Sequence, residues 1–373
     1  MPNYSIKILD SVDKLVVDGE AWNSLWARTG NLSPLVRAES VALWMRQFAP
    51  DALFRAVVIE SGGIAVAGIP LYLHRKAKFL RIGVLPNNGW GSCGNLLLDA
   101  SRQDHEAIFS CLVKGLQQLP IDFLWCNGIR YENFPWKIFR EHWTDSGHSS
   151  RTTLSYHTAV IPLYGDPEAV AATWNKREIA NTKRRFRKLC TPENHEFRAV
   201  SNTDEIAALL PDCFALEHAG WKGREGRGGS IVKMGMEEYY LTQAKILAEQ
   251  NLARLYVLFV DGRLVAFQHD CLAGKTVFCM KIGYDSTMRE FAPGMIIQWL
   301  INLSLLERQD ADYFDFLGIA GQHQKIWNSE LHAVGEVVFS LTLQGKIALS
   351  LHKLYANVKS HFSQNASAKT DES

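Results

Sequence analysis

One β-hairpin pattern occurs twice in this chain, some two hundred residues apart. The first copy consists of the apolar runs Leu53–Glu60 and Ile64–Leu73, joined by Ser-Gly-Gly. The second copy consists of Arg254–Val260 and Arg263–Cys271, joined by Asp-Gly. Two β-branched runs separated by a glycine turn are typical of a β-hairpin. The recurrence therefore predicts a chain built from two halves of the same architecture.

The similarity between the halves continues after each hairpin. In the first half, the helix-length segment Ser101–Leu119 leads to the strand-like segment Ile121–Trp125. In the second half, Pro293–Arg308 leads to Tyr313–Leu317, and both strand-like segments contain Asp-Phe-Leu. Strands that alternate with helices in this way predict an α/β (α+β) fold, in which each half is a mixed β-sheet flanked by helices.

A long polar helix is predicted between the two halves. It covers Asp166–Cys190, and Asp166 is a suitable N-cap because proline follows it at the first helical position. The predicted boundary gives an N-terminal domain, 1–165, and a C-terminal domain, 166–362. The remaining residues, 363–373, are small and polar, so they are predicted to form a disordered tail.

The composition excludes several classes of protein. The chain has 40 Lys and Arg against 39 Asp and Glu, a net charge of +1, which argues against nucleic-acid binding driven by net charge. No run approaches the ~18 apolar residues of a membrane-spanning helix, and charges interrupt the N-terminal segment where a secretory signal would be apolar. The seven cysteines are scattered, without metal-binding or disulfide spacing, so we expect a cytoplasmic protein with no metal. The oligomeric state is left open.

The loop before the predicted helix of the second half is a candidate anion site. Pro293 would open the helix, and the N–H groups of Gly294 and Met295 in its first turn would face back onto the loop, with Arg289 as an added charge. This arrangement suits a pyrophosphate, although an ordinary capped helix is an equal alternative. The equivalent loop of the first half contains Asp99, so we predict that only the second half binds an anionic donor.

The predicted helix between the halves is strongly basic. Its cations are Lys176, Arg177, Lys183, Arg184, Arg185, Arg187 and Lys188. Such a stripe indicates contact with phosphate, RNA or a membrane, or else a solvated face. Lys183 and Arg184 are taken as candidate binding residues for an anionic substrate.

Two further segments contain candidate site residues. In the Gly-rich segment, Glu217 is a candidate general base, and Trp221 and Lys222 are candidate substrate-binding residues. The alternative is a surface loop whose Trp221 fills the core. Near the last predicted strand, Asp315 and Lys325 are candidate catalytic residues. Lys325 would neutralise an oxyanion or a phosphate, and the alternative is a salt bridge between Lys325 and Asp315. No GxSxG, HExxH or GxxxxGK[ST] motif is present, which excludes triad hydrolases, zincins and P-loop enzymes.

The order of these motifs resembles that of CelD-like proteins, a family in the GNAT superfamily of acyl-CoA N-acyltransferases. The resemblance covers roughly Trp22 to Trp327. It rests on Trp22…Leu25-Trp26, Ser33-Pro34, Ala65…Ile69-Pro70-Leu71, Glu217…Gly220-Trp221-Lys222…Gly226, Gly262…Val265-Ala266, Gly283-Tyr284-Asp285…Pro293-Gly294, Asp315-Phe316-Leu317-Gly318 and Lys325…Trp327.

The resemblance implies two tandem GNAT folds, as in FemAB-type transferases, and transfer of an acyl group to an amine or hydroxyl. It also implies that the donor is acyl-CoA, such as acetyl-CoA, lying along the strand that ends at Tyr284. The family is associated with cellulose and exopolysaccharide production, so the expected acceptor is a small molecule or a glycan precursor. The pyrophosphate signature Arg/Gln-x-x-Gly-x-Gly/Ala is incomplete, since only Arg289 and Gly294 match its ends. Aminoacyl-tRNA as the donor, or a non-catalytic scaffold, therefore remain alternatives.

Overall fold

The computed structural model describes residues 3–30, 32–75, 80–223 and 229–350. The predicted tail, 363–373, and the glycines at 226 and 228 lie outside these residues. The strands are β1 Tyr4–Leu9, β2 Leu53–Ser61, β3 Ile64–Arg75, β4 Arg81–Val84, β5 Asn87–Asn88, β6 Gly91–Ser92, β7 Leu97–Leu98, β8 Phe123–Ile129, β9 Ser150–Pro162, β10 His195–Val200, β11 Ala253–Val260, β12 Arg263–Ala273, β13 Thr276–Tyr284, β14 Tyr313–Asp315 and β15 Glu330–Ser340.

The helices alternate with these strands along the chain. The α-helices are α1 Val12–Val17, α2 Gly19–Thr29, α3 Ala38–Phe48, α4 His105–Gln117, α5 Trp136–Asp145, α6 Pro167–Ala172, α7 Lys176–Leu189, α8 Thr203–Ala219, α9 Glu237–Ala248 and α10 Pro293–Arg308. Short 3-10 helices cover Pro34–Val36, Trp221–Gly223, Ser286–Phe291 and Gln324–Trp327. The predicted helix of the second half thus has the expected bounds, whereas that of the first half begins four residues later than expected.

The chain divides into two compact units. The first takes its described residues from 1–28, 44–155 and 334–373, and the second consists of 29–43 and 156–333. The domain ranges expected from the sequence, with a boundary at residue 165, stay a prediction.

Each unit contains a mixed sheet with the same succession of pairings. In the first unit the strand order is β1-β2-β3-β4-β8-β15, and in the second it is β10-β11-β12-β13-β14-β9. All neighbours are antiparallel except β4 with β8 and β13 with β14, which are parallel. The predicted hairpins are β2–β3 and β11–β12. The predicted mixed α/β fold with helices flanking the sheet is therefore confirmed.

The last strand of each sheet comes from the chain segment that follows the other sheet's strands. β15, which follows the second unit in sequence, pairs with β8 of the first. β9, which follows α5 of the first unit, pairs through residues 160–162 with β14 of the second. Each sheet is thus completed by a strand distant in sequence from its other members.

The single helix predicted from Asp166 to Cys190 is wrong, because the chain forms α6 and α7 with a break between them. Asp166 does cap α6, since its carboxylate accepts from the Ala169 N–H at 2.9 Å. At the break, the buried Trp174 packs edge-to-face on Trp327, with ring centroids 5.2 Å apart. Asn175 then caps α7, and burial of Trp174 interrupts the helix.

Candidate functional site

In the second unit, β13 continues well beyond the point where β14 leaves it. The two strands pair only from Thr276–Phe278 to Tyr313–Asp315. The next residue, Phe316, donates its N–H to the Ala159 carbonyl instead, at 3.1 Å. Over the described residues, no strand pairs with this edge of β13 from Cys279 to Tyr284. We call these six residues the open run; at about 3.3 Å per residue it is about 20 Å long.

The open run begins at a β-bulge. In the pairing of β12 with β13, His269 lies opposite Lys281 but Asp270 lies opposite Cys279, so Met280 is an extra residue on β13. A bulge leaves one residue outside the regular ladder and locally twists the strand. Backbone groups at an unpaired strand edge bind extended ligands that themselves contain amides.

The open run ends against the start of α10. Tyr284 packs on Gly294, since a Cβ added to Gly294 would come within 3.3 Å of the Tyr284 ring. Asp285 caps the 3-10 helix that follows by accepting from the Thr287 N–H at 2.9 Å, and it forms an ion pair of 2.5 Å with Arg263. This ion pair and cap fix the loop between the strand and the helix.

The predicted donor-binding residues are therefore contiguous with the open run. Pro293 opens α10 after Ala292, which has the left-handed backbone angle φ 51°. Arg289 is exposed on the 3-10 helix. The N–H of Met295 donates to the Ala292 carbonyl at 2.9 Å, so this amide is used within the turn. The positive end of the α10 dipole still faces the loop.

The buried Glu217 and the half-buried Lys222 form an ion pair beside the open run. Lys222 Nζ lies 2.8 Å from Glu217 Oε1 and also donates to the Ile282 carbonyl at 3.0 Å. The second carboxylate oxygen, Oε2, accepts from the Ile231 N–H at 2.9 Å. Only 3% of the Glu217 side chain is exposed. The predicted general base thus has both oxygens engaged in this structure, while Lys222 contacts the backbone of the open run.

Lys281 is a half-buried residue of this site that the sequence analysis missed. Its ammonium lies 4.5 Å from the centre of the Tyr240 ring of α9. Burial, and then the nearby ammonium of Lys222, lower the pKa of Lys281 to about 8, against the opposing charge of Glu217. A single lysine within an otherwise apolar strand was the signal that would have revealed it.

Asp315 and Lys325 do not form the salt bridge that was the alternative to a functional role. Asp315 is buried at the end of β14, where its Oδ1 accepts from the Leu317 N–H at 2.9 Å. Lys325 is exposed on the 3-10 helix Gln324–Trp327, and no ion pair joins the two among the described residues. The functional roles of both side chains stay predictions.

The basic face of α7 lies beside the loop before α10. The helix packs against both α10 and the 3-10 helix Ser286–Phe291. Lys183 and Arg184 are exposed, and Arg185 is half-buried. Among the described residues, no carboxylate forms an ion pair with any of the seven α7 cations. The structure thus leaves this positive charge uncompensated. Trp221, another predicted binding residue, begins the 3-10 helix Trp221–Gly223.

In the first unit, the place equivalent to the open run is closed. β4 pairs with β8 as far as its last residue, Val84, and the Leu85 N–H still donates to the Trp125 carbonyl at 3.3 Å. The side-chain amides of Asn87 and Asn127 then donate to each other's backbone carbonyl, at 2.7 and 3.1 Å. These bonds hold β8 and the chain that follows β4 together. In the second unit, the equivalent strands β14 and β13 separate at this place.

The loop before α4 also differs from the loop before α10. The carboxylate of Asp99 is 2.7 Å from Arg28 Nε and accepts from the Ser101 hydroxyl at 2.6 Å. The Asp99 carboxylate, which was predicted to repel an anion, is therefore engaged by Arg28 and Ser101.

Comparisons with known proteins give a family match and a fold match. Residues 176–325, which contain the open run and its neighbours, match the acetyltransferase (GNAT) domain family, which supports an acyltransferase. No curated protein has a significant sequence match.

Several solved structures share the fold. The structure of FemX aligns with a TM-score of 0.59 at 10% identity, over 89% of this chain and 96% of FemX. A conserved protein of unknown function from Bacteroides thetaiotaomicron aligns with a TM-score of 0.55 at 14% identity, over 91% of this chain and all (100%) of that one. The C-terminal domain (DUF2156) of a putative lysylphosphatidylglycerol synthetase from Agrobacterium fabrum gives 0.52 at 12% identity, over 90% and 96%.

The described residues contain neither a membrane-spanning helix nor a metal-binding cluster. No helix in the described part of the chain is long and apolar enough to cross a bilayer. Residues 3–30, 32–75, 80–223 and 229–350 also contain no group of three or more His, Cys, Asp or Glu side chains arranged to hold a metal ion.

Proposed function

We propose that this protein transfers an acyl group from a coenzyme A thioester that lies along the open run of β13. The separation of β13 from β14 is the observation that carries the proposal. The pantetheine arm of coenzyme A contains two amides, which can pair with an unpaired strand edge as a peptide would. Tyr284 and Gly294 end this edge at the positive end of α10, which suits the pyrophosphate.

Acyl transfer from a thioester requires few catalytic side chains. An acceptor amine or hydroxyl attacks the thioester carbonyl, and the carbon–sulfur bond breaks to release the thiol. Holding both reactants at one strand edge supplies much of the acceleration, and backbone N–H groups at the bulge suit the developing oxyanion. Within this proposal Glu217 is the base that removes the proton of the acceptor. Lys325 stabilises the oxyanion with its positive charge, and Asp315 holds the end of β14.

Only the second unit binds the donor in this proposal. The mutual amide bonds of Asn87 and Asn127 close the equivalent gap of the first unit, so no strand edge is open there. The two sheets have the same topology, yet the strand edge is open in the second unit and closed in the first. This difference supports a donor site in the second unit alone.

The resemblance to CelD-like proteins suggests the acceptor. We propose a sugar or another cell-envelope or exopolysaccharide precursor, acylated in the cytoplasm, and Lys183, Arg184, Trp221 and Lys222 as its binding residues. A precursor that carries phosphate would suit the exposed cations of α7.

The basic face of α7 also favours a second candidate, in which the donor is an aminoacyl-tRNA. Seven cations without a described ion-pair partner, next to the loop before α10, suit a polyanion. A scaffold without catalytic activity is the remaining alternative.

Isothermal titration calorimetry with coenzyme A and acetyl-CoA tests the proposal. We expect binding in the micromolar range together with a rise in Tm, because a ligand that binds only the folded state stabilises it. No heat up to millimolar coenzyme A, with no change in Tm, would exclude the acyl-CoA function. Binding of tRNA that weakens steeply with salt, without coenzyme A binding, would favour the aminoacyl-tRNA candidate.

A further inference from the structure

Two segments of the first unit are basic and contain no acidic residue. Residues 61–98, which include β3 and β4, contain four Lys or Arg and no Asp or Glu. Residues 337–370 likewise contain four Lys or Arg and no Asp or Glu. The whole chain has almost equal numbers of the two charges, so these segments concentrate positive charge. A basic segment without acids favours contact with an anionic partner.

The fold joins the two segments at Asp122, which is buried just before β8. Its Oδ2 accepts from the backbone N–H of Arg81 at 3.0 Å, and its Oδ1 accepts from the Thr342 hydroxyl at 3.0 Å. A helix, which we call α11, is described at residues 343–350, directly after Thr342. Gly345 of this helix lies so close to Asp122 that an added Cβ would be 2.3 Å from the Asp122 carbonyl oxygen. The helix α11 therefore packs beside the start of β4.

α11 has one apolar face against the sheet and another that is exposed. Leu349 is buried and packs with Ile82 of β4, so the sheet covers that face. Leu343 and Ile347 are 74% and 53% exposed. Because residues at i and i+4 lie on the same side of a helix, these two side chains form one exposed aliphatic face. Lys346, three residues after Leu343, is exposed beside them.

The hairpin next to α11 places two arginines together. Arg75 of β3 lies directly opposite Arg81 of β4, and like charges at opposite positions of paired strands destabilise a sheet. The Asp122 carboxylate lies 3.7 Å from Arg81 Nε, so one buried acid serves two guanidinium groups. Within the part of the chain that the structure describes, no carboxylate forms an ion pair with Arg75 or Lys346. An external anion would reduce the repulsion.

The amino-acid sequence repeats this combination beyond residue 350. Leu351, Leu354 and Val358 follow Ile347 at intervals of four, three and four residues, with lysines at positions 353 and 357. These positions lie outside the described residues. Apolar residues at such intervals among lysines are the sequence pattern of segments that bind at a membrane surface.

We infer that α11 and the β3–β4 hairpin form a surface that docks on a lipid bilayer with anionic head groups. This docking surface consists of Leu343, Lys346, Ile347, Arg75 and Arg81. The aliphatic side chains would enter between the head groups and leave water, while the cations would lie at the level of the lipid phosphates. No residue of the open run contributes to the docking surface, so the inference does not depend on the proposed function.

Other partners fit the docking surface less well. A nucleic acid would use the cations, but its bases stack on aromatic side chains rather than on Leu343 and Ile347. A second copy of the chain, related by a two-fold axis, would bring the same cations against each other. An anionic bilayer matches both the aliphatic and the positive parts of the surface.

The test is co-sedimentation of the full chain with vesicles. Vesicles of phosphatidylglycerol and phosphatidylcholine in equal parts should bind the protein, and vesicles of phosphatidylcholine alone should bind it much more weakly. Binding to the anionic vesicles should decrease as salt increases, because salt screens the attraction between the cations and the head groups. Equal binding to both kinds of vesicle, or to neither, would overturn the inference.

Two double variants test the two parts of the docking surface. Leu343→Ser with Ile347→Ser should weaken vesicle binding at least about tenfold, because less apolar surface leaves water. Arg75→Gln with Lys346→Gln should weaken it roughly fivefold for each lost cation. All four side chains are exposed, so the Tm should stay close to that of wild type.

Matched controls lie elsewhere on the first unit. Val17→Ser changes an apolar side chain that is 84% exposed on α1. Lys114→Gln changes an exposed lysine of α4, which packs on the other face of the sheet, since α4 contacts Leu124 whereas α11 contacts Phe123. Both variants should bind vesicles as wild type does.

A fluorescent reporter gives a second readout. In Ile347→Trp, the emission of the new indole should shift to shorter wavelength with anionic vesicles and should be quenched by brominated lipid. The matched reporter Val17→Trp should show neither change.

The remaining outcomes would overturn the inference and identify a different partner. RNA binding that falls in the arginine and lysine variant but not in the leucine and isoleucine variant, without vesicle binding, would assign the surface to a nucleic acid. A dimer in light scattering that the leucine and isoleucine variant dissociates, again without vesicle binding, would assign it to a second copy of the chain. Calorimetry with coenzyme A is unaffected by either result, so the proposed function is tested separately.

Discussion

The ammonium of Lys222 joins three elements of the second unit, because it lies 2.8 Å from Glu217 Oε1 at the end of α8 and 3.0 Å from the Ile282 carbonyl on β13. The 3-10 helix Trp221–Gly223 is thereby tied to both the helix and the open run. These two contacts of one ammonium fix the position of the chain beside the candidate donor site.

Glu217→Gln should destabilise the protein by about 1–3 kcal/mol, because it leaves the charge of Lys222 without its partner in a mostly buried position. Urea unfolding measures the change. Asp10→Asn is the matched control, since it breaks the exposed ion pair with Lys14 and should change the unfolding midpoint little. Equal midpoints for Glu217→Gln and wild type would show that the buried pair does not contribute to stability.

Gly294→Trp should prevent coenzyme A binding while the fold is retained. The added side chain would meet the Tyr284 ring, which lies 3.3 Å from the position of the new Cβ, and would fill the start of α10. Calorimetry measures binding, and circular dichroism checks the fold. Ala100→Trp, at an exposed residue before the equivalent helix of the first unit, is the control and should bind as wild type does. The reverse pattern, in folded proteins, would assign the donor to the first unit.

Reversal of two α7 cations should weaken anion binding without unfolding the protein. Arg184→Glu with Arg185→Glu is expected to lower affinity for tRNA and to make the salt dependence shallower, since each lost phosphate contact reduces the slope by about 0.7–0.9. Fluorescence anisotropy over a salt series measures both. Lys114→Glu with Lys137→Glu, two exposed cations of the first unit, is the control. A large fall in Tm for the α7 variant alone would assign α7 a structural role.

His269 should make the protein sensitive to acid. Its folded pKa is about 4 and its unfolded value is 6.5, so the unfolded chain binds more protons between these values, and stability falls as pH drops from 6.5 to 4. The loss from this residue is about 3 kcal/mol. In urea unfolding at both ends of that window, His269→Leu should lose less stability than wild type. An unchanged loss would contradict burial of a neutral His269.

The neighbouring Asp270 should have the opposite effect on the pH dependence of stability. Burial raises its pKa well above the usual value, although hydrogen bonds from Gln268 and Cys279 oppose the shift. The folded protein therefore binds the proton more tightly than the unfolded chain, and the stability from this group is lost as pH rises through the folded pKa. Asp270→Asn should reduce the loss of stability on the alkaline side, as measured by the same unfolding series. A variant with the wild-type pH dependence would contradict this assignment.

Local sequence signals predicted local features well. The turn dipeptide at Asp261 located the β11–β12 hairpin, and proline at position 293 located the start of α10. These features depend on the backbone preferences of a few adjacent residues, which a sequence displays directly. The loop from Asp285 to Gly294 was therefore found without the structure.

Features that depend on distant partners were not predicted. The mutual amide bonds of Asn87 and Asn127 join residues forty positions apart, and neither segment contains a sequence signal that predicts its pairing with the other. The bulge at Met280 arises from the register of two strands rather than from its own residue type. Lys281 was missed for a related reason, because its lowered pKa comes from burial and from Lys222, which lies far from it in sequence.

The origin of β9 and β15 has a consequence for synthesis on the ribosome, where the chain emerges from its N-terminus. The strand that completes the second sheet is made before the rest of that sheet, whereas the strand that completes the first sheet is made after the other strands of that sheet. Until residues 335–340 have emerged, β8 keeps an unpaired edge that can pair with another nascent chain. Premature termination after α10 would therefore leave the first unit prone to aggregation, although most of its own residues were already translated.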